Sequence, residues 1–400
     1  MNLIRDLGFG LRQIARRPLF SVAIIVTLAI GIGPNVAIFS VLKALFIEPL
    51  PYPEPERLIQ VWATEVERRW AQPFAWPDFL DIREQSESFE AFGVQRPRTY
   101  NLGGDEPERV QGMMVTADAL LVWGSPPAHG RLLTEEEVEN EERVVVLSDG
   151  IWRRRFDADP GIVGESVTID GEAYQVVGIM PADFEYYSPW DRGAEFGLWT
   201  PLEVPDWAHR DSHWLLAAAR LKPGIDWQTA EAEIRGIASR LQADYPDSNA
   251  RKQVWVQPFI VELVGGMSAQ FLILITAVAL VLLTACANVA SMLLARGADR
   301  KTEVAIRGSL GAGTRRIMTQ LLTESGLLSL IAGFVGVVFA LWSVDLIKLI
   351  IPPEVPRTHG IDIDGGVLLF ALALTLLTGL LFGLAPALAA ARADISSTLR

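Results

Sequence analysis

Four long apolar stretches decide which architectures are open to this chain. They run from Leu19 to Leu42, from Phe271 to Leu294, from Leu327 to Val344 and from Val367 to Ala391. A helix needs about 20 mostly apolar residues to cross the roughly 30 Å hydrocarbon core of a bilayer. Each stretch reaches or approaches that length, and more than 200 mostly polar residues separate the first from the second. The sequence therefore predicts an α-helical membrane protein with four transmembrane helices plus a mixed α+β extracytoplasmic domain.

The first stretch also has the basic flank of a secretory signal peptide. The apolar region of a signal peptide spans about 7 to 15 residues and ends at a small-residue cleavage site. This stretch is longer, and it ends in Lys43 and Glu48. An uncleaved membrane anchor is the prediction.

Lys and Arg residues cluster before the first stretch, between the second and third, and after the fourth. Such residues mark the cytoplasmic side of short flanking segments. The predicted cytoplasmic segments are 1–18, 296–318 and 392–400, the spans are 19–46, 269–295, 319–350 and 367–391, and the extracytoplasmic segments are 47–268 and 351–366. Both termini are therefore expected in the cytoplasm.

The net charge of −13 is unevenly distributed along the chain. Residues 1–48 hold five basic and two acidic residues, and residues 266–400 hold ten basic and eight acidic residues, so the excess of acid lies in the predicted external domain. An acidic surface repels nucleic acid and anionic headgroups, which argues against DNA binding. The only cysteine, Cys286, falls in the second stretch, so no disulfide holds the external domain.

The external region shows the periodicities of both strands and helices. The predicted strands are Leu58–Ala63, Arg143–Leu147, a hairpin of Ser166–Ile169 and Tyr174–Ile179 about Asp170-Gly171, Trp214–Arg220 and Val254–Pro258. The predicted helices are Pro77–Phe92, Asp149–Phe156 and Trp227–Tyr245, and Met180–Asp211 is expected to be irregular or a second subdomain. Eleven of the twelve Trp lie here; core packing is expected for most of them, with a minority at a binding groove.

No catalytic or metal-binding set emerges from the sequence. Gly308 to Arg315 has the two glycines of a phosphate-binding loop, but Thr314 and Arg315 stand where that loop needs Lys and then Ser or Thr. His209 and His213 have a spacing that on a helix would suit zinc, yet their surroundings are typical of a loop. We therefore expect neither enzymatic activity nor a cofactor.

The spans contain pairs of small residues four positions apart, a spacing that lets helix backbones approach closely. The pairs are Ala29 and Gly33, Ala332 and Gly336, and Gly379 and Gly383. They predict helix packing within one protomer or between protomers. Glu324 is expected either to face such an interface or to reach the cytoplasmic headgroups.

The loop between the second and third spans predicts a short amphipathic helix. Between its charges it places Val304, Ile306 and Leu310, and Gly311 permits a turn before the next helix. Such a helix can lie on the membrane surface or dock a soluble partner. Both interpretations are open on these residues.

Several blocks of sequence resemble, in the same order, the MacB/FtsX-type permeases of ABC transporters. They are Ala29–Leu42 followed by Pro49–Pro53, Glu303–Ala312 with Arg315 and Arg316, Gln320–Ser325, and Leu381–Ala387 with Ala391 and Arg392. The resemblance covers nearly the whole chain. The block Pro49–Pro53 is most similar to the longer, duplicated permeases of this superfamily. On that comparison the chain is either the first half of such a protein or a solitary permease that works as a homodimer.

The resemblance implies a permease subunit that couples ATP hydrolysis by a separate cytoplasmic ABC ATPase to a conformational cycle of the external domain. That cycle would perform export or other work on a lipid, lipoprotein, peptide or drug. The ATPase contact would be made by Glu303, Val304, Ile306, Arg307 and Leu310. The family's loop has Arg-X-Ala-Leu where this chain has Arg307-Gly-Ser-Leu310, and Gly308 and Ser309 together weaken a helix by roughly 1 kcal/mol or more.

Further expected partners are a second permease half, membrane lipids and a periplasmic adaptor or substrate protein, but no nucleic acid. The alternative function is a non-transporting scaffold or signalling protein, whose external domain binds an envelope partner.

Overall fold

The computed structural model describes residues 12–65, 68–104, 107–189, 195–299, 314–350 and 360–396. The described chain divides into two compact units. We call residues 49–266 the α/β domain, and the described residues before and after it the helical unit.

The helical unit contains four helices that are long and apolar enough to cross a membrane. They are Pro18–Leu42, which continues as a π-helix over Lys43–Ile47, and Ser268–Asp299, Thr314–Ile350 and Gly365–Ser396. We refer to them as the first to fourth spans. The first span contacts the other three, and 56% of its most apolar window is buried, against 17% in the second span. The first span is therefore the centre of the bundle.

The α/β domain is built on one mixed sheet of eleven strands. The strands are β1 Leu58–Glu65, β2 Arg68–Gln72, β3 Phe89–Leu102, β4 Glu108–Val115, β5 His129–Gly130, β6 Val144–Leu147, β7 Ser166–Ile169, β8 Glu172–Ile179, β9 Leu198–Pro201, β10 Leu216–Leu221 and β11 Lys252–Pro258. The helices are Trp76–Gln85, Ala117–Leu121, Glu135–Glu139, Asp149–Phe156, Trp227–Asp244, Pro246–Asn249 and Phe259–Val264. Together the two units have the predicted fold class.

One end of the sheet is an antiparallel layer with the order β11-β1-β10-β3. The helices Trp76–Gln85 and Trp227–Asp244 follow β1 and β10 in the chain, which gives the β-α-β-β-α-β order of a ferredoxin-like fold. Both helices bury an apolar face, the second through five residues in the predicted pattern: Ala230, Ile234, Ile237, Ala238 and Leu241. We call this layer the ferredoxin-like subdomain.

The other end of the sheet is an insertion between β3 and β10, and its strands pair in a closed circuit. The order β3-β4-β9-β6-β8 returns to β3 through β7, which pairs with both β8 and β3. The closing contact places Leu102 opposite Ile169, and the Gly103 N–H donates to Thr168 O at 2.8 Å. β3 therefore belongs to both subdomains, and its middle marks their junction.

Most elements predicted for the domain are confirmed, but one helix is wrong in its second half. The helix predicted for Pro77–Phe92 ends at Gln85, and Phe89 begins β3. Phe89 and Phe92 fit a helical spacing, but their strand pairs with β10, more than 100 residues away in sequence. Met180–Asp211, which was expected to be irregular or a second subdomain, is mostly irregular among its described residues but contains β9. The hairpin about Asp170-Gly171 is confirmed, with positive φ at both turn residues.

Candidate functional site

The residues predicted to contact an ATPase, Glu303, Val304, Ile306, Arg307 and Leu310, lie outside the described residues. The structure does describe the helices on either side, which end at Asp299 and begin at Thr314. These helices have 32 and 37 residues, whereas about 20 cross the hydrocarbon core. Both helices are therefore longer than the crossing requires.

The small residues of the first and third spans face each other. A Cβ added to Gly33 would lie 2.6 Å from Cδ1 of Phe339 and 3.0 Å from the carbonyl oxygen of Gly336. A Cβ added to Gly336 would lie 3.4 Å from the carbonyl oxygen of Ala29, and Ala332 is fully buried. The two helix backbones can approach this closely because Gly33 and Gly336 have no side chains.

Gly379 and Gly383 of the fourth span face hydroxyl residues of the third. A Cβ on Gly379 would lie 2.6 Å from Oγ of Ser329, and one on Gly383 would lie 3.0 Å from Cβ of Ser325. Ser329 is fully buried, and its hydroxyl donates to the carbonyl oxygen of Thr375 at 2.9 Å. The spacing of Gly379 and Gly383 predicted the fourth-span side of this contact. Ser325 and Ser329, which are also four residues apart, were the sequence signal for the third-span side. Glu324, beside this contact, is buried within the helical unit.

Asn35 joins the first span to the second. Pro34 has no N–H and so cannot complete the helical hydrogen-bond ladder of the first span. Asn35 donates from Nδ2 to the carbonyl oxygens of Gly31 at 2.8 Å and of Val278 at 3.0 Å. A polar side chain within the bilayer thus has partners on its own helix and on a neighbour.

Charged and hydroxyl groups meet at the end of the bundle where the first span finishes. We call this set the clasp, and it consists of Ser40, Lys43, Glu48, Lys348, Asp362 and Asp364. The Lys43 ammonium donates to Glu48 at 2.7 Å and also to Asp364. The pKa of Asp364 is lowered, first because it accepts this bond from Lys43. From the sequence, only Lys43 and Glu48 were noted, as the end of the first apolar stretch, and they were not connected with the other four residues.

In the α/β domain, a cleft of about 560 Å³ lies at the junction of its two subdomains. It is lined by Arg96, Pro97, Arg98, Met114, Glu141, Glu203, Val204, Pro205 and Trp207. The Arg96 guanidinium carbon lies 5.1 Å from the ring centroid of Trp214 and 6.0 Å from that of Trp207. Arg98 pairs with Glu203 at 3.2 Å and Asp170 at 3.4 Å. The cleft presents an aromatic surface beside paired charges.

A buried ionic network holds the loop that carries Trp207. The carboxylate of Asp78 is 7% exposed and accepts hydrogen bonds from Arg210 at 2.7 Å and Asn249 at 2.9 Å. Lys252 lies 3.3 Å from the same carboxylate and also donates to the carbonyl oxygen of Arg210. Since a buried carboxylate is costly without partners, this network fixes the loop firmly.

Packing accounts for most of the described tryptophans of the α/β domain. Five are buried: Trp62, Trp123, Trp152, Trp199 and Trp214. Trp207 is 50% exposed and Trp255 is 37% exposed.

The two histidines whose spacing would suit zinc on a helix, His209 and His213, do not lie on a helix, because residues 209–213 are irregular. The Nδ1 atom of His213 lies 2.8 Å from the carbonyl oxygen of Pro73.

Two sequence profiles match the chain. The profile of the MacB-like periplasmic core domain matches residues 21–237, and that of the FtsX-like permease C-terminal region matches residues 275–395. The chain belongs to the MacB/FtsX-like family of ABC transporter permeases. The first profile covers the first span and most of the α/β domain, and the second covers most of the other three spans. This MacB/FtsX-like permease is therefore a multi-pass inner-membrane protein.

Curated relatives of this MacB/FtsX-like chain include the macrolide export ATP-binding/permease protein MacB of Escherichia coli K12 and that of Shigella flexneri. Each is 25% identical over 284 residues, which is 70% of this chain and 42% of the relative. The chain thus spans about two fifths of the length of these relatives.

Two solved structures are also similar. The periplasmic region of MacB from Actinobacillus actinomycetemcomitans is 14% identical, with 55% of this chain and 93% of that one covered and a TM-score of 0.38. The extracellular domain of the noncanonic ABC-type transporter YknZ from Gram-positive bacteria is 11% identical, with 50% and 99% covered and a TM-score of 0.36.

Proposed function

We propose that this chain is the permease subunit of an ABC-type transporter, and that it transmits ATP-driven movement to its α/β domain. The observation that carries the proposal is the union, in one chain, of an FtsX-like permease region and a MacB-like periplasmic core domain. ATP hydrolysis then takes place in a separate cytoplasmic ATPase subunit, and the spans transmit movement without forming a channel.

The proposed orientation places both termini and the loop of residues 296–318 in the cytoplasm and the α/β domain outside. The support is the distribution of basic residues, because Lys and Arg in short flanks mark the cytoplasmic side. The acidic excess between residues 49 and 265 agrees with a hydrated domain outside the membrane.

The proposed ATPase contact is made by the loop residues Glu303, Val304, Ile306, Arg307 and Leu310. An amphipathic helix docks through its apolar residues, and here these alternate with charges. The helices of the second and third spans, Ser268–Asp299 and Thr314–Ile350, lie on either side of the loop and are each longer than a membrane crossing requires. Force applied at the loop would therefore reach both helices directly.

The test is to purify the tagged chain from its native membrane in mild detergent and to identify by mass spectrometry what remains bound. We expect a stoichiometric nucleotide-binding subunit. The double variant Ile306→Asp, Leu310→Asp should lose that subunit. The matched control Leu80→Asp, Val261→Asp changes two exposed apolar residues of the α/β domain and should retain it. Retention of the ATPase, with unchanged activity, by the loop variant would contradict the proposed contact.

The proposed cargo is a lipid, lipoprotein, peptide or drug outside the inner membrane. The curated relatives are named for macrolide export, which lies within this set. The proposed assembly is a homodimer or a pair with a second permease half. Its support is the second span, whose apolar window is only 17% buried and which exposes Leu272, Ile273 and Leu280.

A second candidate function is a non-transporting scaffold whose α/β domain binds an envelope protein. The observation that favours it is the cleft, where half-exposed Trp207 stands beside Arg96, since Trp and Arg are enriched at the centres of protein interfaces. The same purification separates the two functions. An envelope protein retained without any ATPase would support the scaffold.

A further inference from the structure

The clasp connects three of the four spans. Lys43, in the last turn of the first span, bonds to Asp364, which immediately precedes the fourth span. Ser40, one turn earlier, donates to the carbonyl oxygen of Asp362 at 2.7 Å. The Asp362 carboxylate in turn pairs with Lys348 of the third span at 2.9 Å. The short segment Asp362–Asp364 is thus bonded to the first span through Ser40 and Lys43 and to the third span through Lys348.

The π-helix explains why Lys43 can bind two carboxylates at once. In an α-helix, neighbouring side chains are three or four residues apart, so residues 43 and 48 would point in different directions. A π-helix closes its hydrogen bonds over five residues. Here the Glu48 N–H donates to the Lys43 carbonyl oxygen at 2.8 Å, which brings the two side chains together. The wider turn therefore places Glu48 on one side of the ammonium while Asp364 occupies another.

Lys43 is the one member of the clasp that contacts two other charged members. Its side chain is 19% exposed, while those of Glu48 and Asp364 are 36% and 47% exposed. Asp364 also accepts from the Val367 N–H at 3.0 Å, so it caps the fourth span while it holds Lys43. An exposed ion pair stabilises a protein little by itself, but a network that shares one mostly covered cation connects the helix ends more firmly. We call this connection of the helix ends through the clasp the joint.

We infer that Lys43 is a positioning residue that makes the ends of the first, third and fourth spans move together. Glu48 is followed in the chain by Pro49, where the α/β domain begins. Movement of the third and fourth spans would therefore pass through the clasp into the only described peptide link between the first span and that domain. The role in transport rests on the proposed function, whereas the joint itself does not.

The joint can be measured in the full chain, in lipid nanodiscs, by spin labels at Ile47→Cys and Leu349→Cys in a Cys286→Ala background. Both labelled positions are exposed, at 61% and 83%, at the ends of the first and third spans. We expect one narrow distance distribution. Lys43→Gln should broaden this distribution and shift it to longer distance, whereas Lys43→Arg should restore the narrow peak.

Two further variants keep the result interpretable. Asp364→Asn retains an acceptor for the cap of the fourth span but removes the charge, and it should broaden the distribution as Lys43→Gln does. Arg153→Gln removes an ion pair within one helix of the α/β domain and should leave the distribution unchanged. An unchanged distribution in Lys43→Gln, or failure of Lys43→Arg to restore it, would overturn the inference.

The last measurement adds ATP and the co-purified ATPase. The unmodified clasp should show an ATP-dependent change of distance, and Lys43→Gln should keep the ATPase bound but lose that change. If the change survives in Lys43→Gln, the positioning role is overturned. If no ATPase co-purifies, the proposed function fails, while the distances in the ATP-free chain still decide whether the joint exists.

Discussion

The two units of this permease are stabilised by opposite uses of polar and apolar residues. The helical unit exposes many large apolar side chains, and between its helices it buries small and hydroxyl residues, such as Ser329 and Thr375, beside apolar ones. The α/β domain buries large apolar side chains and exposes its charges. In lipid no apolar driving force brings helices together, so close packing and hydrogen bonds must do so. In water the apolar core supplies the stability.

The comparison identifies the residues whose polarity contrasts with their surroundings. In the helical unit these are Asn35 and Lys43, which link helices through polar contacts. In the α/β domain they are the buried carboxylate of Asp78 and the half-exposed ring of Trp207. Residues that contradict the solvent around them are costly to keep, which is why the proposals above concentrate on them.

The largest effect is expected from Asp78→Ala, which should destabilise the α/β domain and leave the stability of the helical unit unchanged. The change leaves the cations of Arg210 and Lys252 without their shared carboxylate. Removal of one partner from a buried ion pair costs about 3–5 kcal/mol. Eleven of twelve Trp lie in this domain, so its unfolding by urea can be followed by Trp fluorescence. The spans, followed by far-ultraviolet circular dichroism, should unfold as in the wild type.

The control for this variant is Asp149→Ala, which removes an ion pair made with Arg153 on the domain surface. Surface pairs contribute about 0–1 kcal/mol, so the urea midpoint should barely move. Equal losses in the two variants would show that burial of the Asp78 network adds nothing to stability.

A smaller effect is expected from alanine at two close-packed glycines, one in each unit. A Cβ on Gly93 of β3 would overlap the backbone of Ala119, which cannot move aside, whereas one on Gly33 meets first the side chain of Phe339, which can. Overpacking costs about 1–3 kcal/mol, so Gly93→Ala should be near the upper figure and Gly33→Ala near the lower. Fluorescence should report the first change and circular dichroism in detergent the second.

Matched glycines without neighbours provide the controls. Gly236 and Gly326 lie within helices, and a Cβ on either would meet no atom within 4 Å. Alanine there should stabilise each helix by about 0.5–1 kcal/mol, since glycine is a poor helix former. If Gly33→Ala behaves like Gly326→Ala, the first and third spans are not in close contact in the detergent.

The sequence predicted elements whose signals are local and missed those set by distant contacts. Hydropathy identified all four spans, and Asp170-Gly171 identified the β7–β8 hairpin because its turn needs positive φ. The strand β3 was missed because it contains Gly93 and Pro97, both poor strand formers, and is stabilised by pairing with β10. The clasp was missed for a similar reason, since Lys43 and Asp364 are far apart in sequence and meet only when the bundle forms.

The smallest effect concerns the acid dependence of the α/β domain at Glu137. Its carboxylate accepts hydrogen bonds from Arg131 at 2.8 Å and from the Thr134 N–H at 2.9 Å, in a capping box at the helix Glu135–Glu139. Its pKa is lowered, chiefly by the bond from Arg131. A lowered folded-state pKa adds stability above the unfolded value of about 4.3, and this stability is lost as the pH falls through the folded value.

Glu137→Gln should therefore destabilise the α/β domain by about 1 kcal/mol at pH 7, the usual worth of a cap, since Arg131 is half exposed and its charge is screened. The difference between variant and wild type, measured by urea unfolding with Trp fluorescence, should shrink as the pH falls below about 4, because the wild-type carboxyl is then protonated. A difference that stays constant from pH 7 to pH 3 would mean that the hydrogen bonds of Glu137, and not its charge, stabilise the helix. The contrast between the units would then rest on packing alone, with no electrostatic part in the α/β domain at this position.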